Sequence, residues 1–344
     1  MSVGRIAAPT IASGESCLTR PVATAVSAAW VRGAPANRLM VVLRAPGCAY
    51  HFRRRQGGCR YCGFRHISTQ GLRVSSEQLI AQMQWALAHY DFEREAILEL
   101  DIYNSGSFLN DLEIPREAGT EILRRASQVP SLKVVLIESR PEHITVDRLA
   151  PLCRLFSCGS ALETAIGLDA YDDELRIKVL RKGFRRGSFE RAVRRAADSG
   201  AHLLVYVMLK PWTMSDENAL EDAVRAAEYT YTLGARYRIP ARVALEPTFV
   251  VQGTPLATEY QKRRYHPPSA WLVREAVERI ARLGPLVVGL WDEGLRPLAV
   301  PTACAKCRSR LLSALRRFNH TQDTSCLRAV RCDCRAEGQL RETR

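Results

Sequence analysis

Residues 38–66, RLMVVLRAPGCAYHFRRRQGGCRYCGFRH, constrain this chain more than any other stretch. An apolar run at 39–43 ends on Pro46-Gly47, and a loop rich in Arg and Gly then presents Cys48, Cys59 and Cys62. Cysteine thiolates hold iron–sulfur clusters. The C-R-Y-C pair brings two sulfurs to one turn, and Cys48 arrives from across the loop. Three ligands on a four-cornered [4Fe-4S] cube leave one iron open to a small molecule. A Cys3His zinc site completed by His51 or His66 is the competing use of the same residues.

Downstream the chain alternates. Strands are expected at 96–103, 132–137, 162–168, 203–209, 242–245 and 286–291, after a first strand at 39–43. Between them lie helical patterns, one opened by Ser75-Ser76-Glu77 and others at 115–126, 146–155, 172–180, 188–199, 216–233 and 269–283. The stretch LKVVLI reads as a strand buried on both faces. Strands alternating with helices imply a parallel sheet. Seven strands without an obvious eighth predict an α/β fold, a partial (β/α)6–7 TIM-like barrel. We divide the chain into an N-terminal arm or cap (1–37), the barrel (38–300) and a Cys-rich C-terminal extension (301–344).

In parallel barrels the working residues follow the strand ends. After the second strand comes Tyr103-Asn104-Ser105-Gly106-Ser107-Phe108, where Gly106 admits close approach of a ligand to the backbone. Asn104, Ser105 and Ser107 offer neutral hydrogen-bonding groups. After the third comes Glu138-Ser139-Arg140-Pro141-Glu142, whose charges must sit at the barrel mouth because charges are not buried unpaired. Glu138 can accept ribose hydroxyls and Arg140 can pair with a carboxylate. The later strands contribute Glu163, Tyr206, Glu246, Asp292 and Glu293. Of these, Tyr206, Glu246, Asp292 and Glu293 would form an acidic, aromatic mouth facing the substrate. A plain turn and a structural salt bridge are the bland alternatives for the first two segments.

The tail carries Cys304-x-x-Cys307 and Cys332-x-Cys334, four thiolates in two close pairs that suit tetrahedral zinc. A second iron–sulfur cluster is the rival. Clustering of the 11 cysteines argues for metal and a reducing compartment rather than a disulfide framework. No apolar run is long enough to span a membrane, and the N-terminus lacks a secretory core, so a cytoplasmic protein is expected. The net charge of +14 would attract phosphates. Its arginines are scattered, dense only at 52–55 and 181–186, so we read the charge as leaning slightly against nucleic acid.

The three-cysteine loop resembles that of the radical S-adenosylmethionine (AdoMet) superfamily, in the wide-spaced Elongator-subunit-3-like variant, with ten residues between Cys48 and Cys59. R-x-x-G-C…G-G-C-x-x-C-G-[FY], YNSGSF and IESRPEHIT resemble, more narrowly, the archaeosine-tRNA radical AdoMet family, over roughly 39–334. The resemblance implies a [4Fe-4S] cluster on Cys48, Cys59 and Cys62. It also implies AdoMet held by Tyr61, Gly63, Asn104, Ser105, Gly106, Ser107, Glu138, Arg140 and Glu163. An electron donor such as flavodoxin or ferredoxin, or a partner reductase, is implied with them. The cluster would cleave AdoMet to a 5′-deoxyadenosyl radical that abstracts hydrogen from the substrate.

For the substrate, we favour a small polyhydroxylated aminosugar. A related architecture is expected in the radical AdoMet diol dehydratases of apramycin-type aminoglycoside biosynthesis, which would dehydrate a paromamine-like compound with Tyr206, Glu246, Asp292 and Glu293 as acid–base groups. The alternatives are C–N cleavage on a lysine-modified deazaguanine in tRNA, as in archaeosine formation, and a non-enzymatic zinc-stabilised nucleic-acid-binding protein. tRNA is the less favoured partner because no appended tRNA-binding domain is evident.

Overall fold

The computed structural model describes residues 17–53, 57–156, 159–290 and 294–335. Strands β1 (Ala23–Val31) and β2 (Ala34–Val42) form an antiparallel hairpin around Arg32-Gly33. β3 (Ile97–Tyr103), β4 (Val134–Glu138), β5 (Ala161–Asp169), β6 (His202–Leu209) and β7 (Ala241–Pro247) then add in parallel. A short pair, β8 (Val250–Val251) with β10 (Pro297–Ala299), stands apart, and β9 (Leu286–Val288) completes the main sheet beside β7. The eight-stranded order β1-β2-β3-β4-β5-β6-β7-β9 gives the seven expected parallel strands plus one. That extra strand, β1, lies in the stretch read as an arm. Its sequence ATAVSAAWV is mostly small residues, which carry little strand signal of their own. Pairing with β2 supplies the rest.

The helices α1 (Ala49–Phe52), α2 (Ser76–His89), α3 (Arg116–Ser127), α4 (Val146–Cys153), α5 (Arg186–Asp198), α6 (Asp216–Tyr237), α7 (Pro255–Gln261), α8 (Ala270–Ile280), α9 (Arg308–Thr321) and α10 (Ser325–Arg328) follow the chain. Capping explains several starts. Ser75 and Gln78 form a reciprocal capping box on α2, and the Ser215 and Ser269 side chains accept from the first turns of α6 and α8. The stretch expected as a helix at 172–180 is instead one π turn, Leu175–Val179. Fully buried Arg176 anchors it, donating to the carbonyls of Leu168 at 3.0 Å and Tyr171 at 2.9 Å. Among the described residues no helix is long and apolar enough to cross a membrane.

α9 packs across β1, β2 and β9, the two ends of the sheet. Asn319 of α9 completes the edge strand. Its side chain accepts from the Val288 N–H and donates to the Val288 carbonyl, both at 2.8 Å.

Because side chains alternate along a strand, one face of each parallel strand looks into the barrel. At mid-height lie Leu136, Ala165, Leu204 and Ala244, an apolar layer. Below it is a polar floor. Arg242 pairs with Glu99 at 2.6 Å and with Glu163 at 2.5 Å, and Arg38 pairs with Asp101 at 3.2 Å. Burial, and then the neighbouring Glu99 carboxylate, push the Asp101 carboxyl up to about 8. A folded-state value above the unfolded one means stability is full below about pH 4 and is lost as pH rises towards 8. Asp101→Asn should therefore flatten the decline in denaturation midpoint between about pH 4 and 8. An unchanged slope in that variant would assign the decline to other groups.

Candidate active site

One cavity opens at the C-terminal ends of the parallel strands, above the apolar layer. Cys48, Cys59 and Cys62 all line it, together with Tyr61, Gly63, Ser105, Gly106, Glu138, Arg140, Tyr206 and Glu246. Eleven residues expected from separate strand ends are thus brought to one space. Asp292 and Glu293 lie outside the described residues.

Three expectations are corrected. Glu163 faces the barrel but near the start of β5, on the floor, with its carboxylate engaged by Arg242 at 2.5 Å. It does not reach the cavity; Asp169, at the C-terminal end of the same strand, does. Asn104 and Ser107 are fully buried braces rather than lining residues. The Asn104 side-chain amide donates to Glu113 at 3.4 Å, and the Ser107 hydroxyl accepts from the Arg140 backbone N–H at 3.2 Å. Arg140, expected to await a ligand carboxylate, already donates to Glu142 at 2.6 Å and to the Lys182 carbonyl at 2.9 Å. Its guanidinium also sits 3.8 Å above the ring of Tyr50, so it clamps the cysteine loop.

Two further groups escaped the sequence reading. Glu113 is buried and accepts from the Ala49 N–H at 2.9 Å, from the Ser107 N–H, and from the Asn110 amide at 2.8 Å. It ties the cysteine loop to the YNSGSF loop. A Cβ at Gly106 would overlap the Glu113 carboxylate and come within 3.0 Å of the Cys48 Cα, so only glycine fits there. The second group is Lys182, which lines the cavity and pairs with Asp169 at 2.6 Å. The Tyr61 hydroxyl donates to the same carboxylate. Burial works against the Lys182 ammonium, yet Asp169 outweighs it and holds the pKa above its ordinary value. A Cβ on Gly167 would stand 2.6 Å from Lys182 Nζ, so this glycine makes room for the pair. The expected acidic mouth is therefore mixed, with Arg140 and Lys182 facing it beside Glu138, Asp169 and Glu246.

The donor set fits a cluster. Among the described residues, the one group of His, Cys, Asp or Glu ligand atoms mutually within 4.8 Å is Cys304, Cys307, Cys332 and Cys334. The sulfurs of Cys48, Cys59 and Cys62 are not all within that distance of one another, which suits ligands on different corners of a cluster better than a single zinc. His51, one of the two candidate fourth zinc ligands, already accepts from the Gly58 N–H through Nδ1 at 3.0 Å. Burial and then Glu113 push the Cys48 thiol up to about 11, and burial and then Cys59 push Cys62 to about 12. Metal loading must then displace protons. The Ser105 hydroxyl, on the cavity wall, is buried with no partner among the described residues, a polar group suited to a ligand.

The tail cysteines make a tighter set. Sulfur separations are 3.5 Å for Cys304–Cys307, 3.6 Å for Cys304–Cys332 and 3.5 Å for Cys307–Cys334. A tetrahedron of thiolates at the zinc–sulfur distance has an edge of about 3.8 Å. The Trp271 indole N–H donates to the Cys334 sulfur at 3.3 Å, the kind of supporting contact that orients a ligand.

No protein-family model matches the chain. It is 28% identical over 320 residues to archaeosine synthase subunit beta of Methanosarcina acetivorans, covering 92% of this chain and 88% of that protein. The chain resembles the radical AdoMet family of the archaeosine-synthase type. A second archaeosine synthase subunit beta, from Thermococcus kodakarensis, is 25% identical over 311 residues, covering 89% of this chain and 91% of the relative. An uncharacterized protein of Methanocaldococcus jannaschii is 29% identical over 305 residues, covering 86% of this chain and 80% of that protein. Of solved structures, Elp3 of Methanocaldococcus infernus gives a TM-score of 0.48 at 12% identity over 72% of this chain and 59% of that one. A queuine lyase from Clostridium spiroforme gives 0.47 at 16% identity over 79% and 99%. Neither archaeosine synthase subunit supports the expected aminoglycoside dehydratase, and the aminosugar preference is corrected accordingly.

Proposed function

We propose that this chain is a radical AdoMet enzyme that cleaves a C–N bond on a lysine-modified deazaguanine in tRNA, as in archaeosine formation. The observation that carries this reading is the alignment with two archaeosine synthase beta subunits along about nine-tenths of each chain. Cys48, Cys59 and Cys62 would hold a [4Fe-4S] cluster, and Ser105, Gly106 and Glu138 would bind AdoMet beside it. The cluster with AdoMet would supply a 5′-deoxyadenosyl radical, chemistry that belongs to the cofactor. The protein orients and shields. Tyr206 and Glu246, which line the cavity with the three cysteines, would meet the base, which must leave its stack to enter. Lys182, held by Asp169 and Tyr61, can donate or accept a proton at Nζ within the cavity. Cys304, Cys307, Cys332 and Cys334 would hold a structural zinc. A soluble one-electron donor and a cytoplasmic setting complete the proposal.

The test is a single-turnover assay with anaerobically reconstituted protein, AdoMet, reductant and tRNA bearing the lysine-modified base. Deoxyadenosine and the cleaved nucleoside should both form, and only with that tRNA. Turnover of paromamine with none of the tRNA would restore the aminosugar reading.

A further inference from the structure

Cations far apart in sequence lie on joined segments beside the cavity, and what they imply rests on the reading just given. Arg60 lies between the lining residues Cys59 and Tyr61, Arg65 follows Phe64, and Arg181 precedes Lys182. None of the three arginines lines the cavity, and all are partly exposed beside it. Backbone hydrogen bonds stitch their segments together. The Arg60 N–H donates to the Leu180 carbonyl at 3.0 Å, and the Leu256 N–H donates to the Arg60 carbonyl at 3.2 Å. The Arg65 guanidinium donates to the Gly253 carbonyl at 2.7 Å. α7 then ends in exposed Lys262 and Arg263.

The set is organised, and Glu259 offsets only part of its charge. The Arg60 guanidinium lies 4.0 Å above the Trp212 ring, which fixes its position. Burial, and next the like charge of Arg181, pull the Arg60 pKa below its ordinary value, so an arriving anion would relieve a real repulsion. Glu259, the nearby acid, is already engaged by Arg264 through hydrogen bonds at 2.8 and 2.7 Å. Among the described residues no carboxylate pairs with Arg60, Arg65, Arg181, Lys262 or Arg263.

Guanidinium forks match phosphate oxygens, and phosphate contacts position a nucleic acid without reading its sequence. We propose that Arg60, Arg65, Arg181, Lys262 and Arg263 form a phosphate-binding rim that seats the RNA backbone around the cavity mouth, so that one nucleotide can turn inward. RNA is the favoured partner because these cations border a cavity that, on the reading just given, must admit one nucleotide.

The experiment is a fluorescence anisotropy titration of labelled tRNA transcript against the reconstituted full chain, across a series of KCl concentrations. The R60Q/R65Q/K262Q variant should bind at least about tenfold more weakly at moderate salt, with a log–log salt slope shallower by about 2. Its melting temperature and iron content should match wild type. R65Q/K262Q leaves the Trp212 stack intact and should give a smaller change in the same direction. If both variants bind like a salt-sensitive wild type, the RNA sits elsewhere and the rim is overturned while the tRNA reading stands. Wild-type protein that binds no tRNA would remove both. Equal affinity for heparin or anionic vesicles would mark a general anion-binding surface and also overturn the rim.

Discussion

Replacing Cys59 with alanine is expected to abolish 5′-deoxyadenosine formation and to empty the barrel of iron, leaving the tail metal in place. The two cysteine sets make opposite demands. The barrel cysteines converge on one cavity from a loop braced by Glu113 and Arg140, without forming a closed four-ligand set. Those in the tail stand 3.5–3.6 Å apart in a closed set. Metal analysis of anaerobically purified wild type should find about four iron atoms and one zinc per chain, and the variant should keep only the zinc. An alanine variant that stays brown and cleaves AdoMet would remove the cluster assignment. Zinc in place of iron at the barrel cysteines of the wild type would sink the radical reading as a whole.

The second large effect is on stability. Arg242→Met should cost about 3–5 kcal/mol, because it leaves Glu99 and Glu163 buried without their shared counter-charge. In the native floor, burial opposes the Arg242 ion, yet Glu163 and Glu99 outweigh it and hold its pKa well above the ordinary value. Without it, burial would favour the neutral carboxyls. The loss should then deepen as pH rises through their raised values and shrink in acid. Denaturant melts at about pH 5 and pH 8 measure this directly. Restoring neutrality with E99Q/E163Q in the same background should recover much of the loss, as an apolar or neutral replacement of a buried ion pair often does. Equal melts for wild type and Arg242→Met would mean the floor is hydrated and screened.

How much of this was legible beforehand depends on the residue. The parallel strands announced themselves as aliphatic runs, and the strand-end rule picked Glu138, Tyr206 and Glu246 without any contact information. Alternation alone could not say how high on a strand a residue stands. Glu163 and Asp169 share a face and differ by six positions, enough to put one on the floor and the other in the cavity. Lys182 was hidden inside RKGFRR, where local charge density masked a side chain buried against Asp169. Glu113 gave no signal because the backbone amides it accepts from, of Ala49 and Ser107, are brought together only by two loops meeting. The basic rim was dispersed for the same reason. Its members come from three segments that become neighbours through hydrogen bonds such as Arg60 to Leu180.

The amide of Asn319 stands in for an absent neighbouring strand, meeting both polar groups of Val288. A row of unmet donors and acceptors at a sheet border is a template for another chain. One helix thus covers both borders of this sheet, and a chain shortened before Arg308 would uncover them together. The Cys-rich tail is then more than a candidate metal site: the same segment carries the helix that closes the sheet.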